Sequence, residues 1–239
     1  MTAVGSDRAV TAGPADLDAL SQVIAVAFHD LPPSQWLVDD PAERARIFPG
    51  FFRILLDWAM ADGFVATTPA RDAAALWIPV GNHPPDPPAD YPDRIAAVTG
   101  SWSGQFEAFD ATLEENHPTG APHEWLAIIG VRPDRQGQGL GSLLLRARHR
   151  DLDCDGRPAY LEAASPRARD LYLRHGYALR PGAPFHLPDG GPPMWPMMRP
   201  PETTGQGSTT LGAVAGNAKV GVLDVDGDDL AEYLPGVTR

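Results

Sequence analysis

The sequence predicts an α/β fold, and three observations in the chain predict it. Trp125-Leu126-Ala127-Ile128-Ile129-Gly130-Val131 is short, β-branched and too continuously apolar to alternate, as in a strand buried on both faces. Leu140, Leu143, Leu144 and Ala147 follow at i, i+3, i+4 and i+7, which is one face of a helix, and Pro158–Ala163 then returns as a second strand. Upstream, Phe64–Thr67 and Ala74–Pro79 flank a Pro-Ala-Arg-Asp turn and read as a hairpin.

The remaining elements fall in order around these. Residues 1–13 lack an apolar pattern and are expected to be disordered. From Pro14, a stripe of Leu17, Leu20, Ile24, Ala27 and Phe28 predicts a helix ending near His29, where Leu31-Pro32-Pro33 stops it. Ile47, Phe51, Ile54, Leu55 and Trp58 predict a second helix, closed at Asp62-Gly63. The proline-rich run 81–88 is too stiff for a helix or a central strand and reads as an exposed connection. Ile95, Val98, Trp102, Phe106 and Phe109 share one stripe and predict a single third helix with a core-facing aromatic side. After the strand Pro158–Ala163, a helix carrying Ala168, Leu171 and Tyr172 closes at His175-Gly176-Tyr177, and residues 178–199 supply two final strands around Phe185 and Met194–Met198.

Residues 14–199 thus make one domain of ordinary size, and 200–239 change character. Pro200–Gly216 is a Gly/Thr/Pro-rich linker, and Lys219–Arg239 is an acidic tail. Asp224, Asp226 and Asp228 are spaced as in a calcium loop. The required glycine position holds Asp229 and the bidentate-glutamate position holds Pro235, so the expectation is a solvated tail and no metal.

Between the central strand and its helix lies Gln136-Gly137-Gln138-Gly139-Leu140-Gly141. Glycines at alternate positions let a backbone wrap closely, and free amides at a helix start favour an anion through hydrogen bonding and the helix dipole. A Walker loop requires Gly-Lys-Ser/Thr; here Gly141-Ser142-Leu143 follows and the only lysine is Lys219. A dinucleotide fingerprint requires G-x-G-x-x-G, and this loop is one residue short, although Asp155 and Glu162 stand where an acidic ribose contact could be.

Gln136-x-x-Gly139-x-Gly141 after a strand ending Val131-x-Pro133 resembles the acetyl-coenzyme A signature of the GNAT acetyltransferase superfamily. Leu171-Tyr172 followed by Gly176-Tyr177 is similar to the family's Leu-Tyr...Gly-aromatic element, and the resemblance covers roughly residues 117–180. It implies a three-layer fold with a central mixed, twisted sheet of about six or seven strands and helices on both sides. It implies acetyl-CoA as acetyl-donor cosubstrate, bound by Gln136, Gly137, Gln138, Gly139, Leu140, Gly141 and Ser142. It also implies that the central strand splays from its neighbour near Ile129, Gly130 and Val131, whose backbone would hold the pantetheine arm. Gly130 inside a strand suits such an approach, or else close packing on a helix. The position of Ser165, an asparagine in many relatives, is not carried over.

Charge and composition narrow the setting. The net charge is −12, yet Arg132, Arg135, Arg146, Arg148 and Arg150 face only Asp134 between Val131 and Arg150. An acidic chain with a basic island at its glycine loop fits a polyanionic cosubstrate and argues against nucleic acid. The single cysteine, Cys154, excludes an intrachain disulfide and suits a reducing, cytoplasmic setting; its acidic neighbours Asp153 and Asp155 disfavour a thiolate. Met1 to Asp18 has no apolar core of signal-peptide length, and no run approaches about 18 apolar residues, so neither a targeting segment nor a membrane span is expected.

Acetyl transfer from a thioester to an amine needs oxyanion donors, a base and an acid for the leaving thiolate, but no protein nucleophile. The resemblance makes Tyr172 the acid. His123, Glu124 and Glu162, at the ends of the two central strands, are the base candidates in that order; strand alternation sends His123 and Glu124 to opposite faces. The reading is direct transfer of an acetyl group to a primary amine of a small molecule. The rival is a non-catalytic acyl-coenzyme A sensing module. The acceptor and the oligomeric state are not legible in the sequence.

Overall fold

A computed structural model of the chain describes residues 8–202. The expected linker beyond Glu202 and the acidic tail lie outside the described residues.

Helices and strands begin where the local chemistry puts them. β1 is Val10–Thr11, α1 Leu17–Phe28 and α2 Pro32–Leu37. α3, Pro41–Asp62, starts with proline at its first turn, and the Asp40 carboxylate accepts from the amides of Ala42 (2.7 Å) and Glu43 (3.1 Å). β2 (Phe64–Thr67) and β3 (Ala73–Val80) form the expected hairpin. α4 (Tyr91–Thr99) and α5 (Ser103–Asn116) lead to β4 (His123–Val131), α6 (Leu140–Cys154), β5 (Ala159–Ala163) and α7 (Pro166–Leu173). β6 (Ala178–Leu179), β7 (Phe185–His186) and β8 (Pro193–Arg199) complete the sheet.

Three expectations are corrected. Val10 and Thr11 pair with Thr67 and Ala66, so the expected disorder of residues 1–13 does not reach the described part of that segment. The single third helix is two: Gly100 takes φ +59 and a short 3-10 turn follows, re-aiming the chain between Val98 and Phe106. The aromatic side of that stripe is core as expected, with Phe106 fully buried 4.9 Å from the Phe51 ring. Finally, the last segment yields three strands rather than two.

The sheet order is β1-β2-β3-β4-β5-β8-β6, with β7 pairing the start of β8. Every neighbouring pair is antiparallel except β4 and β5, which α6 joins in parallel. The mixed sheet flanked by helices on both faces is as expected. α1 and α3 to α5 cover one face through Ile24, Phe48, Phe52 and Phe106, and α6 and α7 cover the other through Leu144, Leu145 and Tyr172.

β4 carries the irregularity that makes room for a site. Leu76 pairs with Ile128 and Trp77 with Leu126, so Ala127 is an extra residue, a β-bulge. Trp125, Ala127 and Ile128 consequently pack on the α1/α3 side, while Leu126, Ile129 and Val131 pack toward α6. On the other edge of β4, pairing to β5 is confined to Glu124↔Ala159 and Trp125↔Tyr160. From Leu126 onward the two strands part, earlier along the chain than the Ile129 the resemblance suggested.

Gly130 sits where β4 meets α1. A Cβ added there would lie 3.4 Å from the Ala27 Cβ and 3.5 Å from the Ile24 Cα, so close helix–strand packing accounts for this glycine. Gly130→Val should therefore destabilise the fold by about 1–3 kcal/mol through overpacking. A urea melt checks it; an unchanged midpoint would contradict this packing.

Candidate functional site

A cavity of about 780 Å³ opens where β4 and β5 part. One end is the glycine loop with α7; the other is an aromatic chamber walled by Phe28, Phe51, Phe52, Trp58, Phe109 and Trp125. Of the ten expected coenzyme residues, Ile129, Gly130, Val131, Gln136, Gly137, Gly139, Leu140, Gly141 and Ser142 line it. Gln138 does not; its side-chain amide turns outward and donates to the Asp134 carbonyl at 3.3 Å.

The loop is shaped by backbone geometry. Gly137 and Gly139 have φ +77 and +83, which L side chains rarely adopt, and Gly139 is the N-cap of α6. A Cβ at either would meet no atom within 4 Å, so these glycines bend the chain around open space rather than around packed protein. Open space beside a helix N-terminus, joined to an unpaired strand edge, fits a long thin ligand with a phosphate group. The Ser142 hydroxyl, in the first turn, is 2.9 Å from His175 Nε2. Ser165 also lines the cavity, but its hydroxyl caps α7 by accepting from the Ala168 amide at 3.2 Å.

The basic island is largely spoken for. Arg132 pairs with Asp134, Arg148 with Glu124 and Arg135 with the buried Asp72 at 3.1 Å. Only Arg135 of the five lines the cavity, where it is joined by Arg167 and Arg174 of the α7 region, which charge counting around the loop missed.

The catalytic candidates separate by position. Tyr172 lines the cavity from the inner side of α7, buried against Tyr177 with ring centroids 5.7 Å apart. Its hydroxyl has no protein hydrogen-bond partner among the described residues, and burial pushes its pKa up, so it stays protonated. Glu162 also lines the cavity. Its Oε2 accepts from Trp125 Nε1 at 3.0 Å, while Oε1 is buried without a hydrogen-bond partner. Burial raises its pKa to about 7 against the stabilising hydrogen bond from Trp125.

His123 and Glu124 do not reach the cavity. Strand alternation does send them to opposite faces. Glu124, buried, takes Arg148 at 2.5 Å and Arg157 at 3.5 Å, an ion-pair cluster beneath α6. His123 is enclosed by Tyr160 and His117, and its Nδ1 lies 3.0 Å from the Ala121 carbonyl oxygen. Of the three base candidates read from the sequence, Glu162 is the one that lines the cavity. His117, which no motif marked, does line the cavity, and its Nδ1 is 3.7 Å from Glu162 Oε1. It follows α5 directly, so continuation of the Asp110-Leu113-Glu114 face was the one available sequence signal.

The chamber holds further acid. Asp110 accepts from the Tyr91 hydroxyl at 2.9 Å, and burial raises its pKa to about 6. Glu114 and Asp86 stand nearby on the lining, and among the described residues no lysine or arginine lines that end. Among the described residues, no group of three or more His, Cys, Asp or Glu is placed to hold a metal. None of the described helices is long and apolar enough to cross a membrane.

A carboxylic acid whose pKa rises on folding opposes stability once pH passes from its ordinary value to its raised one. For Glu162 that window runs from 4.5 to about 7. Glu162→Gln should stabilise the protein at pH 8 by up to about 3 kcal/mol, with the gain vanishing toward pH 4.5. Denaturant melts at the two pH values check this; a pH-independent difference would contradict it.

Residues 100–179 match the family model of the acetyltransferase (GNAT) domain. The fold is similar to a crystal structure from Corynebacterium glutamicum described as histone acetyltransferase HPA2 and related acetyltransferase. That likeness has 23% identity and a TM-score of 0.61, covering 83% of this chain and 98% of that one. It is also similar to arylalkylamine N-acetyltransferase 2 from Aedes aegypti, at 11% identity and TM-score 0.56, covering 82% and 99%. The match to the acetyltransferase (GNAT) domain model over residues 100–179 spans both the split between β4 and β5 and the glycine loop at its mouth.

Proposed function

We propose that the protein transfers an acetyl group from acetyl-CoA to a primary amine of a small molecule, by direct attack within a ternary complex. The observation that carries this reading is the continuous cavity joining the glycine loop to an acidic aromatic chamber, with Glu162 and Tyr172 both on its wall. A pure sensing module would have no use for a second, separately furnished chamber.

Acetyl-CoA supplies the acyl group as a thioester. The amides of the Gly137–Ser142 turn would hold its pyrophosphate, assisted by Arg135, Arg167 or Arg174 on the same lining. The unpaired edge of β4 beyond Trp125 offers backbone groups to the pantetheine arm and to the carbonyl oxygen that becomes negative during attack. Glu162, with a pKa near the working pH, takes the proton from the attacking amine. Tyr172, kept protonated by burial, donates to the departing sulfur.

The chamber suggests the acceptor. Aromatic walls favour an apolar body, and Asp110, Glu114 and Glu162 without a lining cation at that end favour a positively charged amine over an anionic acceptor. An exposed cysteine thiol is in keeping with a cytoplasmic setting.

The test is thiol release from acetyl-CoA across a panel of small primary amines. Amines with apolar bodies should turn over best. Tyr172→Phe should lower kcat by about 10²-fold or more with coenzyme affinity by calorimetry unchanged. Tight coenzyme binding without thiol release on any amine would favour the sensing module; equal loss of turnover and affinity would make Tyr172 structural.

A further inference from the structure

Behind Glu162 stands a buried chain of ring nitrogens that the acetyl-transfer reading does not use. His117 and His123 are 7% and 1% exposed, their Nε2 atoms are 3.0 Å apart, and His117 Nδ1 is 3.7 Å from Glu162 Oε1. The hydrogen positions follow from one end. The Ala121 carbonyl can only accept, so His123 Nδ1 carries a proton. Desolvation disfavours the charged form of both rings, taking His117 down to about 3, so each ring is neutral. A neutral His123 protonated on Nδ1 presents a bare Nε2, which must accept from His117 Nε2–H. His117 Nδ1 is then bare as well, and it faces the one oxygen of Glu162 that has no partner.

We infer that His117 is a positioning residue that shares a proton with Glu162: its bare Nδ1 accepts from Glu162 Oε1–H after the carboxylate has taken the proton of the attacking amine, and His123 locks the tautomer that makes this possible. Two lone pairs oppose each other while Glu162 is ionised. A proton on Oε1 turns that opposition into a hydrogen bond across a gap that a small side-chain movement closes. The device therefore raises the basicity of Glu162 without placing a second charge in the cavity. Other groups face the pair: Trp125 bonds Glu162, the Tyr160 hydroxyl, directed at the Asn116 carbonyl, lies close by, and Arg180 acts on Glu162, His117 and His123. Arg157 and Glu124 act on His123, and Asp110, Glu114, Tyr91 and Tyr172 share the cavity wall. All of these remain in place when His117 alone is changed.

This inference rests on Glu162 as the base, and the experiment separates the two. The pH dependence of kcat is measured for the wild type, Glu162→Gln and His117→Gln, whose shorter reach past the ring retains a polar partner for His123 but leaves the Nδ1 position empty. The acidic limb should fall by about one pH unit in His117→Gln, and should be absent with greatly reduced rate in Glu162→Gln. A limb that stays or rises in His117→Gln overturns the shared proton while leaving the base intact. Wild-type rate and limb in Glu162→Gln overturn the base itself. Independently of activity, nitrogen-15 spectra of the histidine rings in the wild type should show His117 protonated on Nε2 and bare on Nδ1; the opposite tautomer overturns the inference.

Discussion

The organising constraint is the parting of β4 from β5 after only two paired residues. A parallel pair joined by a helix would ordinarily zip along its length, since each unpaired backbone group left in a protein interior is costly. Here the bulge at Ala127 changes the direction of β4 while its other edge stays bonded to β3, so the strand turns away from β5 without leaving the sheet. The backbone groups exposed by that turn become the wall of the cavity. The glycine loop and α7 then sit at one end of the opening, and α3 to α5 close the other.

Burial does the chemical tuning. Glu162 and Tyr172 both lie on the opening, and desolvation acts on both in the same direction, favouring the neutral acid. In the proposed reaction this preserves Tyr172 as a donor and would move Glu162, otherwise a poor base, toward the pH at which an amine must be deprotonated. Glu124, equally buried, is instead ion-paired with Arg148 and Arg157 on the far face of β4. Glu124 thus differs from Glu162 by the face of the sheet it occupies, while His123, on the same face as Glu162, is kept from the opening by packing against Tyr160 and His117.

Much of this was legible in the residues. The apolar run of β4, the alternate glycines and the leucine stripe of α6 are local signals, and local signals specify strand, turn and helix directly. Gly137 and Gly139 take positive φ values, a bend that glycines at those alternate positions permit. What the sequence concealed depends on pairing between distant segments. The bulge at Ala127 follows from register against β3, and no pattern within β4 announces it. Gly130 admits two explanations in isolation, and only the arrival of Ala27 and Ile24 decides between them. His117 comes to Glu162 because α5 ends beside β5, a contact spanning 45 positions that no motif encodes. Charge counting failed for a related reason: Arg135 and Arg148 find carboxylates elsewhere in the fold, Asp72 and Glu124, while Arg167 and Arg174 reach the cavity from a helix later in the chain.

The claim on which the account turns is that the opened strand edge and the turn Gly137–Ser142 together bind a thioester carrier. A crystal structure of the protein with acetyl-CoA tests it most directly. The pyrophosphate should lie against the amides of residues 137–142, the pantetheine arm along β4 beyond Trp125, and the acetyl group between Glu162 and Tyr172. Coenzyme density lodged elsewhere on the protein would contradict it.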